Sequence, residues 1–495
     1  MRFKILFPAT VALLLSIMIP SSGIQAQQST PQDAAYFAFR NAVTDPPPVH
    51  TTPIFKLSKN FPATVPDKCL ECAWLKIDVN FTPSFDKPSS PNWHGQNWDK
   101  YMDAVLQYVK EGQDPNLSNE VGYRVEVNHK TRWFNVPWMS YDPTAGREFV
   151  HGTTNERTAH LADLVNNSPH ASNLYVGETD ACKKDWPYGF ESWSVGYYNE
   201  YGGYAIGRSI PTTGVPKVST YLGTTVPAGL PFKEGTVVVK ILTTNAPEEC
   251  VPSLKGSPQW QIDRHKVTAD KGYECDREVQ ISRIVQVDVA VVDFRSPTHW
   301  VYGTFGFDGA SAGNTFWDHL VPVGLQWGSD PWSFPAVPKT ASLSIQQSVI
   351  DKDNPLFQHL GCAGRLAGPV DNPQSSCTSC HSSAYAVPNG APSEMGVNVP
   401  PSFGFPGLCE NYSLDNASYF QNQTIPQSFP GGRFPTAISM DTSLQLAVAF
   451  TQYGYFNTEH APQACTDPNQ VSPTPNPTVL RTNFLRTSAV HKGAK

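Results

Sequence analysis

The chain has 495 residues, of which 40% are apolar and 16% charged, so it can bury the cores of two or three domains. The low charge, with 45 prolines and 35 glycines, favours turns and short strands over long helices. A formal net charge of −7 gives no basic field, which argues against nucleic acid as a partner.

The N-terminus has the three regions of a secretory signal peptide. Arg2 and Lys4 precede the apolar stretch PATVALLLSIMI, and small and polar residues follow up to Ala26. This order predicts a signal peptide over residues 1–26, cleaved after Ala26. The alternative is an uncleaved membrane anchor, for which the apolar stretch is short. No later stretch is apolar enough to cross a bilayer, so we expect a periplasmic or secreted protein without a membrane span after signal removal.

Export changes the interpretation of the ten cysteines, because thiols outside the cytosol tend to oxidise. Two of them, Cys377 and Cys380, differ from the others in their spacing. The other eight are odd in number on each side of residue 345, so either one disulfide joins the two parts or each part has a free thiol. The candidate disulfide cysteines are Cys69, Cys72, Cys182, Cys250, Cys275, Cys362, Cys409 and Cys465.

After the signal, the chain predicts an extended arm and a helix. Residues 27–65 are polar and contain many prolines, which is typical of a segment that runs over the surface. Residues 97–112 have the spacing of an amphipathic helix. The apolar side of this helix comprises Tyr101, Val105, Tyr108 and Val109.

Short segments rich in Val, Tyr, Ile and Phe follow and predict β-strands. They cover residues 121–129, 192–199, 204–210, 236–242, 284–294 and 299–307. Every second residue from Val285 to Val291 is valine, with Gln286 and Asp288 between them, which is typical of an antiparallel strand with one face in water. Strands without intervening helices favour a β-rich, antiparallel, sandwich-like N-terminal domain over residues 27–345.

The composition changes after the predicted strands. Residues 331–350 break the strand pattern and are interpreted as a connector. Residues 346–465 predict a small, loop-rich, partly α-helical domain that ends with a buried helix over 439–453, capped by Ser439 or Asp441. The polar, proline-rich residues 466–495 predict a flexible tail.

The second domain contains the sequence SSCTSCHSSA, in which Cys377, Cys380 and His381 form a C-x-x-C-H motif. Haem attachment needs two thiols that add to two vinyl groups and an imidazole that reaches the iron, and this motif supplies all three. A redox dithiol is the second hypothesis, but that chemistry favours a preceding strand, and the residues before the motif are rich in turns. The remaining alternatives are a zinc site that recruits the distant Cys69 and Cys72, or a chance occurrence.

Four segments carry a resemblance to a known family. They are GRLAGPVDNPQSSCTSCHSSA, PWMSYDPTAGREFVHGTTNER, WSVGYYNEYGGYAIG and VPVGLQWGSDPW. Over most of residues 120–385, the chain resembles exported bacterial proteins known only as cytochrome c-like. The resemblance implies one covalent haem c, with Cys377 and Cys380 as thioether positions and His381 as proximal iron ligand. The upstream segments imply no further role.

The ligand opposite His381 is open at this point. Met440 precedes the predicted closing helix, in the order that resembles small one-haem cytochromes, and Met395 lies in a loop long enough to wrap a macrocycle. His359 and His460 are weaker candidates, water or a vacant position is the further alternative, and either methionine can equally be core packing. Arg365 is a candidate partner for a haem propionate, with a surface arginine as the alternative.

The leading hypothesis is an exported mono-haem c-type cytochrome that transfers single electrons to or from an unidentified redox partner protein. One alternative is a haem enzyme with an open distal side that acts on peroxide or a small substrate; the chain is more typical of an electron carrier than of an enzyme. Another alternative is a glycan- or protein-binding module that carries a haem domain. Its aromatic platform, or else its strand core, would comprise Trp193, Tyr197, Tyr198, Tyr201 and Tyr204.

Overall fold

The structure is a computed structural model, and it describes residues 57–84, 90–111, 126–127, 130–139, 154–159, 190–212, 215–268, 272–333, 345–353, 361, 364–368, 371, 376–386, 396–397, 420–425 and 438–458. The predicted signal peptide, most of the predicted arm and the predicted tail lie outside these ranges. Within them, no helix is both long and apolar enough to cross a membrane.

Within the residues that the structure describes, one large antiparallel sheet of nine strands organises the fold. Its strands are β3 (Phe134–Asn135), β4 (Thr154–Ala159), β5 (Phe190–Tyr198), β8 (Val237–Thr244), β9 (Gln259–Thr268), β10 (Gly272–Val292), β11 (Trp300–Phe307), β12 (Leu320–Gln326) and β13 (Ser348–Ile350). Their order across the sheet is β13-β12-β11-β10-β8-β5-β3, with β4 paired to β5 and β9 paired to β10. The β-rich, antiparallel character predicted from the sequence is confirmed.

Seven shorter strands of the described part of the chain form small sheets. The pairs are β1 (Glu126–Val127) with β2 (Lys130–Thr131) and β6 (Val218–Tyr221) with β7 (Thr224–Pro227). The third small sheet contains β14 (Ala384–Ala386), β15 (Gly396–Val397) and β16 (Ile438–Ser439). The α-helices are α1 (Trp98–Lys110), α2 (Glu200–Ser209), α3 (Cys377–His381) and α4 (Leu444–Thr458).

Helices cover both faces of the large sheet, so its core is one sheet between helices rather than a sandwich of two sheets. Alternate residues of a strand point to opposite faces, and in β8 Val237 packs on the α1 side while Val238 packs on the α4 side. Helix α1 lies where the spacing predicts it, with Tyr101 among its buried residues. The apolar side predicted for this helix is confirmed, because all four of its predicted residues are buried.

Helix α2 replaces a predicted strand, and the prediction of a strand over 204–210 is wrong. Asn199 caps the helix, because its side-chain oxygen accepts from the Gly202 backbone N–H at 3.3 Å. The helix also lies very close to the sheet, since a Cβ on Gly203 would come within 2.7 Å of the Phe134 ring. Capping and close packing therefore outweigh the strand propensity of the local Tyr and Ile residues.

Strand β10 departs from the expected half-solvated pattern in two ways. A bulge between Ile284 and Gln286 moves Val285 out of the α1-side core that holds Val287. Gln286 is also fully buried, because residues around Gly368 pack over it. The expectation of a water-exposed face is wrong, since this face is covered by the chain near the C-x-x-C-H motif.

The closing helix predicted over 439–453 is found as α4, Leu444–Thr458. Its cap is Ser443, whose hydroxyl accepts from the Leu446 N–H at 3.2 Å, and neither Ser439 nor Asp441 has this role. The buried residues of α4 join those of strand β11 in one core cluster. Residues on both sides of position 345 thus share one core, and part of the predicted connector forms the edge strand β13; the domain boundary itself stays a prediction.

Candidate functional site

The C-x-x-C-H motif forms the short helix α3. Ser376 begins it, with its hydroxyl accepting from the Ser379 N–H at 3.4 Å. The backbone N–H of Cys377 donates to the Leu366 carbonyl at 3.1 Å, and the N–H of Thr378 donates to Gln326 Oε1 at 2.9 Å. Strand β12 and the segment around Leu366 therefore hold the motif against the large sheet.

The two sides of helix α3 have different environments. Cys377, Cys380 and His381 are partly exposed, whereas Thr378 and Ser379 are fully buried. Residues three and four apart lie on the same side of a helix, so the two thiols and the imidazole share the more accessible side. Neither cysteine forms a disulfide. The reactive groups are the more accessible residues of the motif, although Cys377 also packs against two core clusters, and the intervening residues are fully buried.

The ring of His381 is oriented by the turn before α4. Its Nδ1 lies 3.0 Å from the Thr442 carbonyl oxygen, 61 residues further along the chain. Because a carbonyl only accepts, this hydrogen bond places the proton on Nδ1 and leaves the lone pair on Nε2. The Tyr302 ring lies against the imidazole, with 4.5 Å between the ring centroids. This is the arrangement in which an iron-binding histidine coordinates through Nε2.

Met440 belongs to the same turn as Thr442. Its side chain is fully buried, and its backbone N–H donates to the Ala384 carbonyl at 3.0 Å, in the strand that follows α3. The structure brings Met440 close to the motif in space, and its role as distal ligand stays a prediction. The other candidates, Met395, His359 and His460, lie outside the described residues.

Arg365 is buried, so the alternative of a surface arginine is wrong. Its Nε donates to the Ser329 carbonyl at 2.7 Å, and one terminal nitrogen donates to the Asp330 carbonyl at 3.1 Å. The guanidinium also lies 4.7 Å from the centroid of the Phe420 ring. Burial lowers the pKa of Arg365 to about 10, and the Asp330 carboxylate opposes that shift. The propionate role stays a prediction.

Two acidic side chains lie near Cys377, namely Asp288 on strand β10 and Asp371 in the segment before α3. Burial raises the pKa of the Cys377 thiol well above its usual value, and the negative charges of Asp371 and Asp288 add to that shift. The nucleophile of a redox dithiol needs a lowered thiol pKa, so this environment argues against the dithiol hypothesis. The protonated thiol form is favoured in the folded chain.

Asp288 is expected to make the protein less stable as the pH rises. Burial, with the nearby Asp371, raises the pKa of Asp288 to about 8. The folded chain then holds a proton that the unfolded chain has lost, so the free energy of unfolding falls between about pH 4 and about pH 8. In Asp288→Asn the amide oxygen can still accept from the Thr304 hydroxyl, which lies 2.9 Å from the carboxylate. We expect this variant to exceed the wild type by at least about 1 kcal/mol at pH 8 and to match it near pH 4.

Denaturant unfolding at both pH values measures the effect. Asp78→Asn, which removes an exposed carboxylate, is the matched control. A difference between Asp288→Asn and the wild type that is the same at pH 4 and pH 8 would contradict the expectation.

The zinc hypothesis requires Cys69 and Cys72 as the second pair of ligands, but these two cysteines are joined in a disulfide. Thiolate ligation needs unbridged sulfurs. Cys250 is also disulfide-bonded. Among the described residues, no group of three or more His, Cys, Asp and Glu side chains could hold a metal ion.

The aromatic platform of the binding-module alternative is core. Trp193, Tyr197, Tyr198 and Tyr201 are buried, and only Tyr204 of this set is partly exposed. Trp193 and Tyr197 pack with helix α1, whereas Tyr198 packs with helix α4. Buried rings cannot stack on a sugar, so this set of residues supports strand packing rather than glycan binding.

The residues present fit a covalently attached haem. The two thiols lie one turn apart on the more accessible side of α3, as attachment to two vinyl groups requires, and the Nδ1 hydrogen bond of His381 makes Nε2 the ring nitrogen that would coordinate iron. Tyr302 and Thr442 complete this site, and no sequence signal identifies either, because one acts through a ring contact and the other through a backbone carbonyl.

The chain was also compared with protein-family models, with curated proteins and with solved structures, and none of them matches it.

Proposed function

We propose that the protein is an exported mono-haem c-type cytochrome that transfers single electrons through a covalently attached haem. The observation that carries the proposal is the geometry of helix α3 and of the turn before α4, which contains Thr442. Cys377, Cys380 and His381 share one partly exposed side, and His381 Nδ1–H donates a hydrogen bond to the Thr442 carbonyl oxygen, with 3.0 Å between nitrogen and oxygen.

Each residue of the motif has a defined task in this proposal. Cys377 and Cys380 hold the haem through thioether bonds, and His381 binds the iron through Nε2. The haem supplies the one-electron redox chemistry. The hydrogen bond from Nδ1–H to the Thr442 carbonyl keeps the imidazole in one tautomer and one orientation. The same hydrogen bond also raises the basicity of Nε2.

The cellular setting of the proposal follows from the sequence. Residues 1–26 direct export, and the mature chain is periplasmic or secreted, where covalent haem attachment takes place. Residues 346–465 are the part that carries the haem, in the manner of a small cytochrome c-like domain. An unidentified redox protein is the partner, and the accessible side of α3 supports electron exchange with it.

Absorption spectroscopy of the exported full-length chain tests the function. We expect a reduced-minus-oxidised spectrum with sharp low-spin bands and a pyridine haemochrome typical of two thioether bonds. The haem should also remain on the polypeptide in a denaturing gel. A purified, correctly exported chain without any haem would refute the proposal, and high-spin haem that readily binds carbon monoxide would instead favour the haem enzyme.

A further inference from the structure

The turn that faces His381 has an unusual backbone. Asp441 and Thr442 both have φ of 57°, in the left-handed region. A β-branched residue such as Thr rarely adopts this conformation, and each such residue costs about 1–3 kcal/mol. The turn is therefore kept only if its surroundings hold it, and such backbone outliers cluster at functional sites.

Three consecutive side chains of the turn are tied to the sheet and its loops. The Asp441 carboxylate accepts from the Phe232 N–H at 2.7 Å and from Trp300 Nε1 at 3.2 Å. The Thr442 hydroxyl bonds to the Tyr302 hydroxyl at 2.6 Å. The Ser443 hydroxyl bonds to the Tyr198 hydroxyl at 2.9 Å. These contacts stabilise a conformation that the backbone alone disfavours.

Tyr302 contacts both residues of the hydrogen bond between His381 Nδ1 and the Thr442 carbonyl. Its hydroxyl holds Thr442, and its ring packs on the imidazole of His381. Burial raises the pKa of Tyr302 well above its usual value, so the hydroxyl keeps its proton. Tyr198 is the natural comparison, because it is equally buried and its hydroxyl bonds to the neighbouring residue of the same turn.

We infer that Tyr302 is a positioning residue for His381. Its hydroxyl holds Thr442 in the left-handed conformation, so that the Thr442 carbonyl points at Nδ1, and its ring limits the rotation of the imidazole. Through this contact Tyr302 sets how strongly Nε2 donates to a metal. The inference rests on the proposed function for its redox consequence, whereas its geometric part holds for the haem-free chain.

Loss of the Tyr302 hydroxyl is expected to raise the midpoint potential of the exported, haem-loaded chain. In Tyr302→Phe the His381–Thr442 bond weakens, so Nε2 becomes a poorer donor and the oxidised iron is less stabilised. We expect the ratio of reduced to oxidised protein at a fixed potential to rise about two- to tenfold, which corresponds to one hydrogen bond. Redox titration followed by absorption measures this ratio.

Variants of Thr442 test whether the two hydroxyls act as a pair. Thr442→Val keeps the shape but loses the hydroxyl, and it should raise the ratio as Tyr302→Phe does. The double variant should add nothing further, because both changes remove the same bond. Thr442→Ser should restore the wild-type ratio. Additive shifts, or no rescue by Ser, would overturn the inference.

Tyr198→Phe is the matched control. It removes a hydrogen bond of similar length to the same turn, so it should lower the free energy of unfolding about as much as Tyr302→Phe and leave the midpoint potential unchanged. Equal potential shifts in both variants would show general loosening of the turn and overturn the inference, as would an unchanged potential in Tyr302→Phe.

A second measurement separates this inference from the proposed function. If the wild-type chain holds no haem, the function is refuted, but the imidazole ¹⁵N shifts of His381 still report its tautomer. In the haem-free chain we expect the proton on Nδ1 in the wild type and in Tyr198→Phe, and a mixture of tautomers in Tyr302→Phe. The same tautomer in all three chains would refute the positioning role.

Discussion

Replacement of both motif cysteines, Cys377→Ser with Cys380→Ser, is expected to abolish covalent haem. Serine keeps the size of the side chain but forms no thioether, so the haem of the denatured chain should separate completely from the polypeptide. Each single variant should keep one thioether and give a shifted pyridine haemochrome. Haem staining of denaturing gels and the haemochrome spectrum measure both effects.

The chain contains its own control for this experiment. Cys69 and Cys72 have the same C-x-x-C spacing, but Ala73 stands after them where the C-x-x-C-H motif has His381. These two cysteines form a disulfide. The double variant Cys69→Ser with Cys72→Ser should therefore keep all of its covalent haem. Retention of covalent haem after loss of Cys377 and Cys380 would refute the assignment of the attachment site.

Removal of the buried guanidinium in Arg365→Met is expected to lower the free energy of unfolding by about 3–5 kcal/mol. The side chain is fully buried, and methionine would leave the carbonyls of Ser329 and Asp330 without their donor. The Asp330 carboxylate would also lose the positive charge beside it. Chemical denaturation of the haem-loaded chain measures the loss.

The control for Arg365 is Arg208→Met, which removes an exposed arginine from helix α2 and should change stability by less than about 0.5 kcal/mol. The prediction also separates two roles of Arg365. A structural role predicts a lower unfolding midpoint with little change of redox potential. Wild-type stability together with a shifted potential would contradict it and support the propionate role instead.

The strands of the sheet could be predicted well where the local pattern and the packing agree. Strands β5, β8 and β11 come from runs of Val, Tyr and Phe between turn residues, and they lie within a few residues of their predicted bounds. Strand β10 ends close to its predicted end but begins at Gly272, twelve residues before the predicted start. Helix α2 could not be predicted, because its cap Asn199 and its contact with Phe134 act against local propensity. The covered face of β10 depends on residues far along the chain, and the valine pattern alone does not reveal it.

The candidate site divides in the same way. Cys377, Cys380 and His381 are found from the sequence because the chemistry requires them at fixed spacing. The contact from Thr442 is made by a backbone carbonyl, which any residue type supplies, so the sequence carries no sign of it. The burial of Arg365 cannot be predicted from the local sequence either, because the carbonyls that accept its hydrogen bonds belong to another segment.

If the chain is exported and loaded with haem as proposed, the Cys69–Cys72 disulfide has a consequence for the order of those two events. It shows that a C-x-x-C pair in this chain can close on itself, and Cys377 and Cys380 have the same separation. In an oxidising compartment the second pair is open to the same reaction until thioether bonds occupy its sulfurs. Under the proposed function, haem attachment and thiol oxidation would therefore compete for the same two sulfur atoms, so we expect the yield of haem-loaded protein to rise when a mild thiol reductant accompanies synthesis.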